Sequence, residues 1–340
     1  MPGTPRRTTT WKKASFAALV TVIILGGCEL GLRGAGWGPA YQADFAGWRM
    51  PADLDDHIMD PPSEPHRFRV DTNHAGLRSD LPEERTAGVP RIALLGDSTV
   101  FGWGVDNEDA LPERLQAHLR AATGTEIEVL NAAQPGYTTA QLVALFEDTV
   151  LHWQPDLVIL IVPQHDHTPA LVSDWEHYEG SGGPVSWLRV MLARHSRIYH
   201  LLWTRLAAVP GPDTANGELL PGPGIVRVPR VSDDERDIAM DRLRVGASAW
   251  GGEVALALLP FYPDLQHDPS EPGADGPHVP WHREHSAARD IPLLDVRHCC
   301  GPDADAMVFP FDKWHLNARG SNAVARALAG SLADAGLVNR

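Results

Sequence analysis

The stretch Arg91-Ile-Ala-Leu-Leu-Gly-Asp-Ser-Thr-Val-Phe-Gly-Trp-Gly104 decides the fold. Its apolar run, Ile92 to Leu95, is bounded by Pro90 and Gly96 and reads as a buried strand. The chain then turns through Gly96-Asp97-Ser98 and enters a helix whose body runs from Ala110 to Ala121. A serine at the C-terminal end of a parallel strand, beside a helix N-terminus, stands where open α/β sheets place their ligands. The free N–H groups and the dipole of that helix end favour a developing negative charge. Taken alone, the serine is equally well a cap in an ordinary strand–helix turn.

Outward from this stretch, strands and helices alternate. Strand candidates are Ile92–Leu95, Ile127–Asn131, Leu157–Val162, Val254–Leu259 and Ile291–Val296. Helix candidates are Leu111–Ala121, Thr139–Trp153, Val185–Ala208, Asp233–Trp250 and Ser321–Ala335. Such alternation predicts an α/β fold with a parallel sheet and helices on both faces. The sequence divides into residues 1–35, a targeting or anchor segment; 36–90, an irregular extension packing on the domain; and 91–336, the α/β domain. Within the extension, Val70 to Arg78 reads as a short hairpin or turn and Leu81 to Pro90 as a charged loop. Two later stretches break the alternation. Val209 to Arg230 is rich in Pro and Gly and reads as an exposed loop. Phe261 to Asp290, with its Pro, Asp and His, reads as a loop able to overhang a site.

A partner for the serine lies near the other end of the chain, in Asp312-Lys-Trp-His315. A hydroxyl is a weak nucleophile at neutral pH and needs a base, which in turn needs an orienting group. Asp312 and His315 lie three apart, so one helical turn brings the carboxylate against one imidazole nitrogen. The other nitrogen is left to face a serine. Asp-x-x-His alone is a frequent accident; paired with Gly-Asp-Ser in an α/β chain it is much less so.

With these blocks in view, the chain resembles the SGNH (GDSL-type) hydrolase superfamily over roughly residues 70 to 335. The resemblance is carried by Gly96-Asp97-Ser98 with the following Thr-Val-Phe-Gly-Trp-Gly-Val, by Asn131-Ala-Ala-Gln-Pro-Gly136-Tyr, and by Asp312-x-x-His315. The lead-in Asp71-Thr-Asn-His-Ala-Gly-Leu-Arg78 is similar to that of the family's membrane-anchored bacterial branch. The resemblance implies a flavodoxin-like three-layer α/β/α sandwich with a five-stranded parallel sheet. It also implies Ser98 as nucleophile, His315 as base and Asp312 as its orienter, with no cofactor. The oxyanion donors it implies are the N–H groups of Ser98 and Gly136 and a third group. Where the family carries Gly-x-Asn-Asp, this chain has Pro163-Gln164-His165-Asp166, so the third place falls to His165. An imidazole N–H can also donate, and Asp166 is expected to fix this loop or the His165 tautomer. Gly136 on its own reads as a plain Pro-Gly turn.

The implied activity is hydrolysis of carboxylic esters through an acyl-serine, on an ester-bearing small molecule or an acylated glycan. Two alternatives stand beside it: an O-acyltransferase or deacetylase of cell-envelope polysaccharide, and a catalytically impaired homologue that binds glycans or an envelope partner. A net charge of −15 argues against a nucleic-acid or anionic-membrane partner, either of which calls for basic patches. His165-Asp-His167 would present two imidazoles on one face if the strand continued through it, but no further Cys/His spacing completes a metal set, and none is assigned. Three cysteines are too few for a disulfide scaffold. Cys299-Cys300 reads as two thiols, with a strained vicinal disulfide as the rival. Neither a Gly-x-Ser-x-Gly elbow nor a Gly-rich phosphate loop is present.

At the N-terminus, Arg6, Arg7, Lys12 and Lys13 precede an apolar run from Ala14 to Gly27. Positive charge followed by an apolar core is a targeting pattern. The run ends in Leu25-Gly-Gly-Cys28, which resembles a bacterial lipobox with Cys28 as the lipidated residue. The rival reading extends the helix through Leu32 as an uncleaved anchor, with Glu29 and Arg33 at its edge. Both place the domain outside the cytoplasm and tether it to the membrane through this segment; a freely secreted form is the remaining alternative.

Overall fold

In the computed structural model, the described residues are 8–35, 42–44, 47–60, 67–170, 172–179, 184–199, 201–202, 214–215, 218–219, 228–260, 279–297, 299 and 305–338. Five short aliphatic runs form one parallel sheet: β1 (Arg91–Leu95), β2 (Glu128–Asn131), β3 (Leu157–Ile161), β4 (Glu253–Leu258) and β5 (Leu293–Asp295). Their spatial order is β5-β4-β3-β1-β2. Registers such as Ile92 opposite both Val129 and Leu157 fix the central strands.

Right-handed crossovers in that order put α1 (Leu111–Thr123) and α5 (Ala318–Asp334) on one face of the sheet. They put α2 (Thr139–Asp148), α3 (Asp233–Ser248) and α4 (Val279–Arg289) on the other. The packing agrees, since α1 lies against α5 and α2 against α3. The architecture is a three-layer α/β/α sandwich. Covering both faces explains why Ile92–Leu95 of β1 and all of β3 read as unbroken apolar runs: every residue of both strands is buried. At the opposite end of β1 from Ser98, fully buried Arg91 pairs with Glu128 at 2.7 Å and donates to the carbonyls of Glu83 and Trp153. That pins the charged loop to the foot of the sheet.

The strands fall where the sequence places them, with ends shifted by a residue or two. Other elements differ. Ser98–Phe101 is a separate single helical turn, and the longer helix begins only at Leu111. The helix expected over 139–153 stops at Asp148 and continues as a 3-10 turn, Val150–Trp153. The stretch expected as a loop over 261–290 contains α4, the crossover from β4 to β5; 261–278 lie outside the described residues. Of the helix expected over 185–208, Pro184–His195 is described, with further helical residues at 197–199 and 201–202. Within 209–230, Thr214–Ala215 pairs with Glu218–Leu219, and Val228–Pro229 pairs with Pro169–Ala170. In the extension, the turn expected within 70–78 is present, closed by the Gly76 N–H on the Asn73 carbonyl, and just before it His57–Met59 pairs antiparallel with Phe68–Val70. Cys300 lies outside the described residues, and with it any vicinal pairing.

The chain divides into two compact units: Met1–Trp48 with Gly182–Ile225, and Arg49–Ser181 with Val226–Arg340. The second holds the sheet. In the first, Thr8–Gly34 is one continuous helix, and Trp11–Gly34 is long and apolar enough to cross a membrane, with a mean hydropathy of 2.0. Cys28 is exposed on it.

Candidate active site

Ser98 follows β1 through a turn whose shape the sequence dictates. A Cβ at Gly96 would run into the Val100 side chain, so the strand can turn this sharply only at glycine. Asp97, not Ser98, caps the helical turn, accepting from the Thr99 N–H at 3.0 Å. The Ser98 hydroxyl is therefore free of capping duty, and it points at His315, with Oγ 2.8 Å from Nε2.

His315 Nδ1 lies 2.6 Å from Asp312 Oδ2. The sequence predicts a helical turn here; the structure has instead an Asx-type turn. Asp312 Oδ1 accepts the N–H groups of Trp314 and His315, and Lys313 between them has φ +56°. Residues on both sides hold the turn in place. Val308 bridges Leu316, Phe309 N–H donates to the His315 carbonyl, and Asn317 both caps α5 and donates to the carbonyls of Ala306 and Val308. Burial alone would push the Asp312 carboxyl up. The His315 imidazole and the two backbone N–H groups outweigh it and hold the carboxyl below its usual range. An ionised Asp312 fixes the proton on Nδ1 and leaves Nε2 as acceptor for the Ser98 hydroxyl.

Gly136 lies in the loop after β2 with φ +75°, a left-handed conformation that glycine adopts without strain. Neither its N–H nor that of Ser98 donates to any described residue, so both are available to a ligand. His165 stands at the C-terminal end of β3, the strand beside β1, on the 3-10 turn Gln164–His167. It is half-buried, and its side chain makes no hydrogen bond with a described residue.

The 3-10 turn scatters the His165-Asp-His167 run, which an extended strand would have aligned. Asp166 turns inward, fully buried, and accepts from the N–H and hydroxyl of Thr139 at 2.8 and 2.6 Å. It fixes the loop against the N-terminus of α2 rather than orienting His165. Burial raises its carboxyl to about 7 against the pull of these donors and of Arg236. His167 Nε2 instead accepts from Arg236 at 3.1 Å. Among the described residues, no group of three or more His, Cys, Asp or Glu is placed to hold a metal ion.

Two buried residues within these sequence blocks, Arg78 and Gln134, support the site. Buried Arg78, in the lead-in, donates to the carbonyls of Phe101, Gly102, Val105 and Arg69 and to Asn107 Oδ1. It cages the backbone that follows Ser98; burial lowers its pKa to about 10 despite Asp106 and Glu113 nearby. Buried Gln134 accepts from Met50 N–H and donates to the Gly76 carbonyl, which ties the Gly136 loop to the same lead-in. Trp103 stands over the site, its ring centroid 6.4 Å from that of His315 and 5.3 Å from Phe68. An open groove of about 460 Å³, lined in part by Phe68, Gly104, Phe309 and Asn317, adjoins these residues.

No protein-family model and no curated protein matches the chain. Among solved structures it is similar to an α/β hydrolase enzyme from the metagenome of Lake Arreo, Spain (19% identity over 75% of this chain and 99% of that one, TM-score 0.44). It is similar also to a lipase/acylhydrolase from Enterococcus faecalis (16%, 73% and 97%, 0.45). A third is the psychrotrophic esterase EstA from Pseudoalteromonas sp. (13%, 72% and 97%, 0.43). Likeness at these identities and TM-scores carries no argument about this chain, whose fold and chemistry are read from its own strands and side chains.

Proposed function

We propose that the chain is an SGNH-type serine esterase, held outside the cytoplasm by its N-terminal helix. The observation that carries the reading is the unbroken relay from Ser98 Oγ through His315 to Asp312, at 2.8 and 2.6 Å. In the proposed reaction Ser98 Oγ attacks the ester carbonyl while its proton passes to His315 Nε2. Asp312 stabilises the imidazolium so formed. The oxyanion is held by the N–H groups of Ser98 and Gly136 and by the His165 imidazole N–H. Collapse expels the alcohol, which takes the proton from His315 and leaves an acyl-serine. Water, deprotonated by His315, then releases the acid and restores the hydroxyl. Hydrolysis of short-chain nitrophenyl esters by the wild type, abolished in Ser98→Ala, is the expected result. A folded wild type as inert as Ser98→Ala overturns the reading.

A second reading narrows the substrate to an acylated glycan. Phe311 and Trp314, exposed on either side of Asp312, are the observation that favours it, since exposed aromatic faces suit sugar rings. Trp314→Ala should raise KM for an acetylated oligosaccharide and leave nitrophenyl acetate untouched. An equal effect on both substrates would contradict it.

A further inference from the structure

We propose that residues 184–199 and 201–202 form a second membrane-contacting element, lying in the outer interface of the bilayer at the exit of the N-terminal helix. The first observation is charge. From Gly180 to Pro212 the chain has no Asp or Glu but carries Arg189, Arg194, Arg197 and Arg205, in a protein whose net charge is −15. Basic amphipathic helices with this composition settle on anionic lipid surfaces.

The second observation is the apolar face. On the helix Pro184–His195, Trp187 and Leu188 are 55% and 52% exposed and Leu192 is 40% exposed, whereas Val190 is 5% exposed. Positions 187, 188, 191 and 192 share one arc at about 100° per residue, so Met191 joins the same face. Leu202, on the following helical residues, is exposed as well. Tryptophan on such a face is the residue favoured at the boundary between acyl chains and headgroups.

Position is the third. Glu29, near the end of the N-terminal helix, accepts from the N–H groups of Arg197 and Ile198 at 3.0 and 3.2 Å and from the Ser196 hydroxyl at 3.3 Å. One turn on, Arg33 donates to the His195 carbonyl at 2.7 Å. The junction after Pro184–His195 is thus fastened to the last turns of the span. From Lys13 to Glu29 the helix rises about 24 Å, a little under the ~30 Å hydrocarbon core, which sets Glu29 and its partners at the outer boundary. Lipid is the occupant that fits an apolar face, a set of cations and that depth together.

The proposal rests on the N-terminal helix crossing the bilayer, which flotation of the full chain with vesicles checks separately; failure to float overturns both. The specific test reconstitutes full-length wild type and Trp187→Phe into vesicles of phosphatidylcholine and phosphatidylglycerol with brominated acyl chains. The emission belonging to Trp187, taken as the difference between the two proteins, should be quenched by the bromines and shielded from aqueous iodide. Hydrogen exchange of wild type in the same vesicles should show residues 187–192 protected at all protein-to-lipid ratios. Quenching by iodide but not by bromine overturns the proposal. So does protection that appears only at high protein-to-lipid ratio, which would assign the face to a second copy of the chain.

Discussion

Replacing Arg78 by lysine separates the placement of Ser98 from its chemistry. The guanidinium satisfies four backbone carbonyls and the Asn107 side chain from one buried position. A lysine keeps the charge but offers three donors from a single atom and lacks the fork that spans these acceptors. At least two of the five acceptors lose Arg78 as donor. The Phe101 and Gly102 carbonyls keep Asn131 Nδ2 and the Val105 N–H. The Arg69 or Val105 carbonyl left without its donor costs about 1–3 kcal/mol, so Arg78→Lys should lose about 1–3 kcal/mol. That is a part of the ~5–15 kcal/mol typical of a domain, and it leaves the protein folded. The catalytic cost follows from the backbone being caged. Gly102 and Trp103 donate their N–H groups to the Ser98 carbonyl, so a shift of residues 101–103 is passed directly to Ser98. Misplacement of a reacting group by about 1 Å costs on the order of 100-fold. The expected kcat is therefore about 10- to 100-fold below wild type, with KM changed far less. Urea unfolding gives the stability, and ester hydrolysis under conditions where both proteins are folded gives kcat. A destabilised variant with wild-type kcat would refute the reasoning, because the turn would then hold its shape without Arg78.

Other residues give independent checks. His165→Ala should lower kcat by about 100- to 1000-fold, the range for one oxyanion donor, and His165→Asn should restore it; an Ala variant as fast as wild type removes His165 from the hole. Asp166, raised from 3.8 to about 7, keeps in the folded state a proton that the unfolded chain releases. Its contribution to stability is present below pH 3.8 and is lost as pH rises through about 7. Thermal melts of Asp166→Asn should therefore gain on wild type between those limits and run parallel above them. A wild type that gains on the variant instead would mean that the Thr139 and Arg236 contacts outweigh burial.

The α/β layering was legible because both faces of the sheet are covered, which turns strands such as Leu157–Ile161 into unbroken apolar runs. α4 escaped because its buried face carries His282 and His285 where a core helix would show aliphatic residues. His285 is accommodated there by Asp237, 2.7 Å away on α3, a contact that no local pattern reveals. The Asp312–His315 pair was readable from its spacing, since both partners lie in one turn. Its approach to Ser98, across 217 positions, was readable only through the resemblance and the topology it implies. The role of Arg78 was hidden for a different reason: its partners are backbone carbonyls, which leave no mark in sequence. The single turn at Ser98 was missed because Asp97, adjacent to the serine, takes the cap.

The most direct test of the central claim is to look for the acyl group itself. Wild type mixed with excess nitrophenyl acetate and quenched in acid should carry one acetyl group, located by peptide mass spectrometry on Ser98. Its appearance should match a burst of nitrophenol, and His315→Ala should abolish both. Turnover with no acyl group on Ser98, or an unchanged rate in Ser98→Ala, would contradict the account.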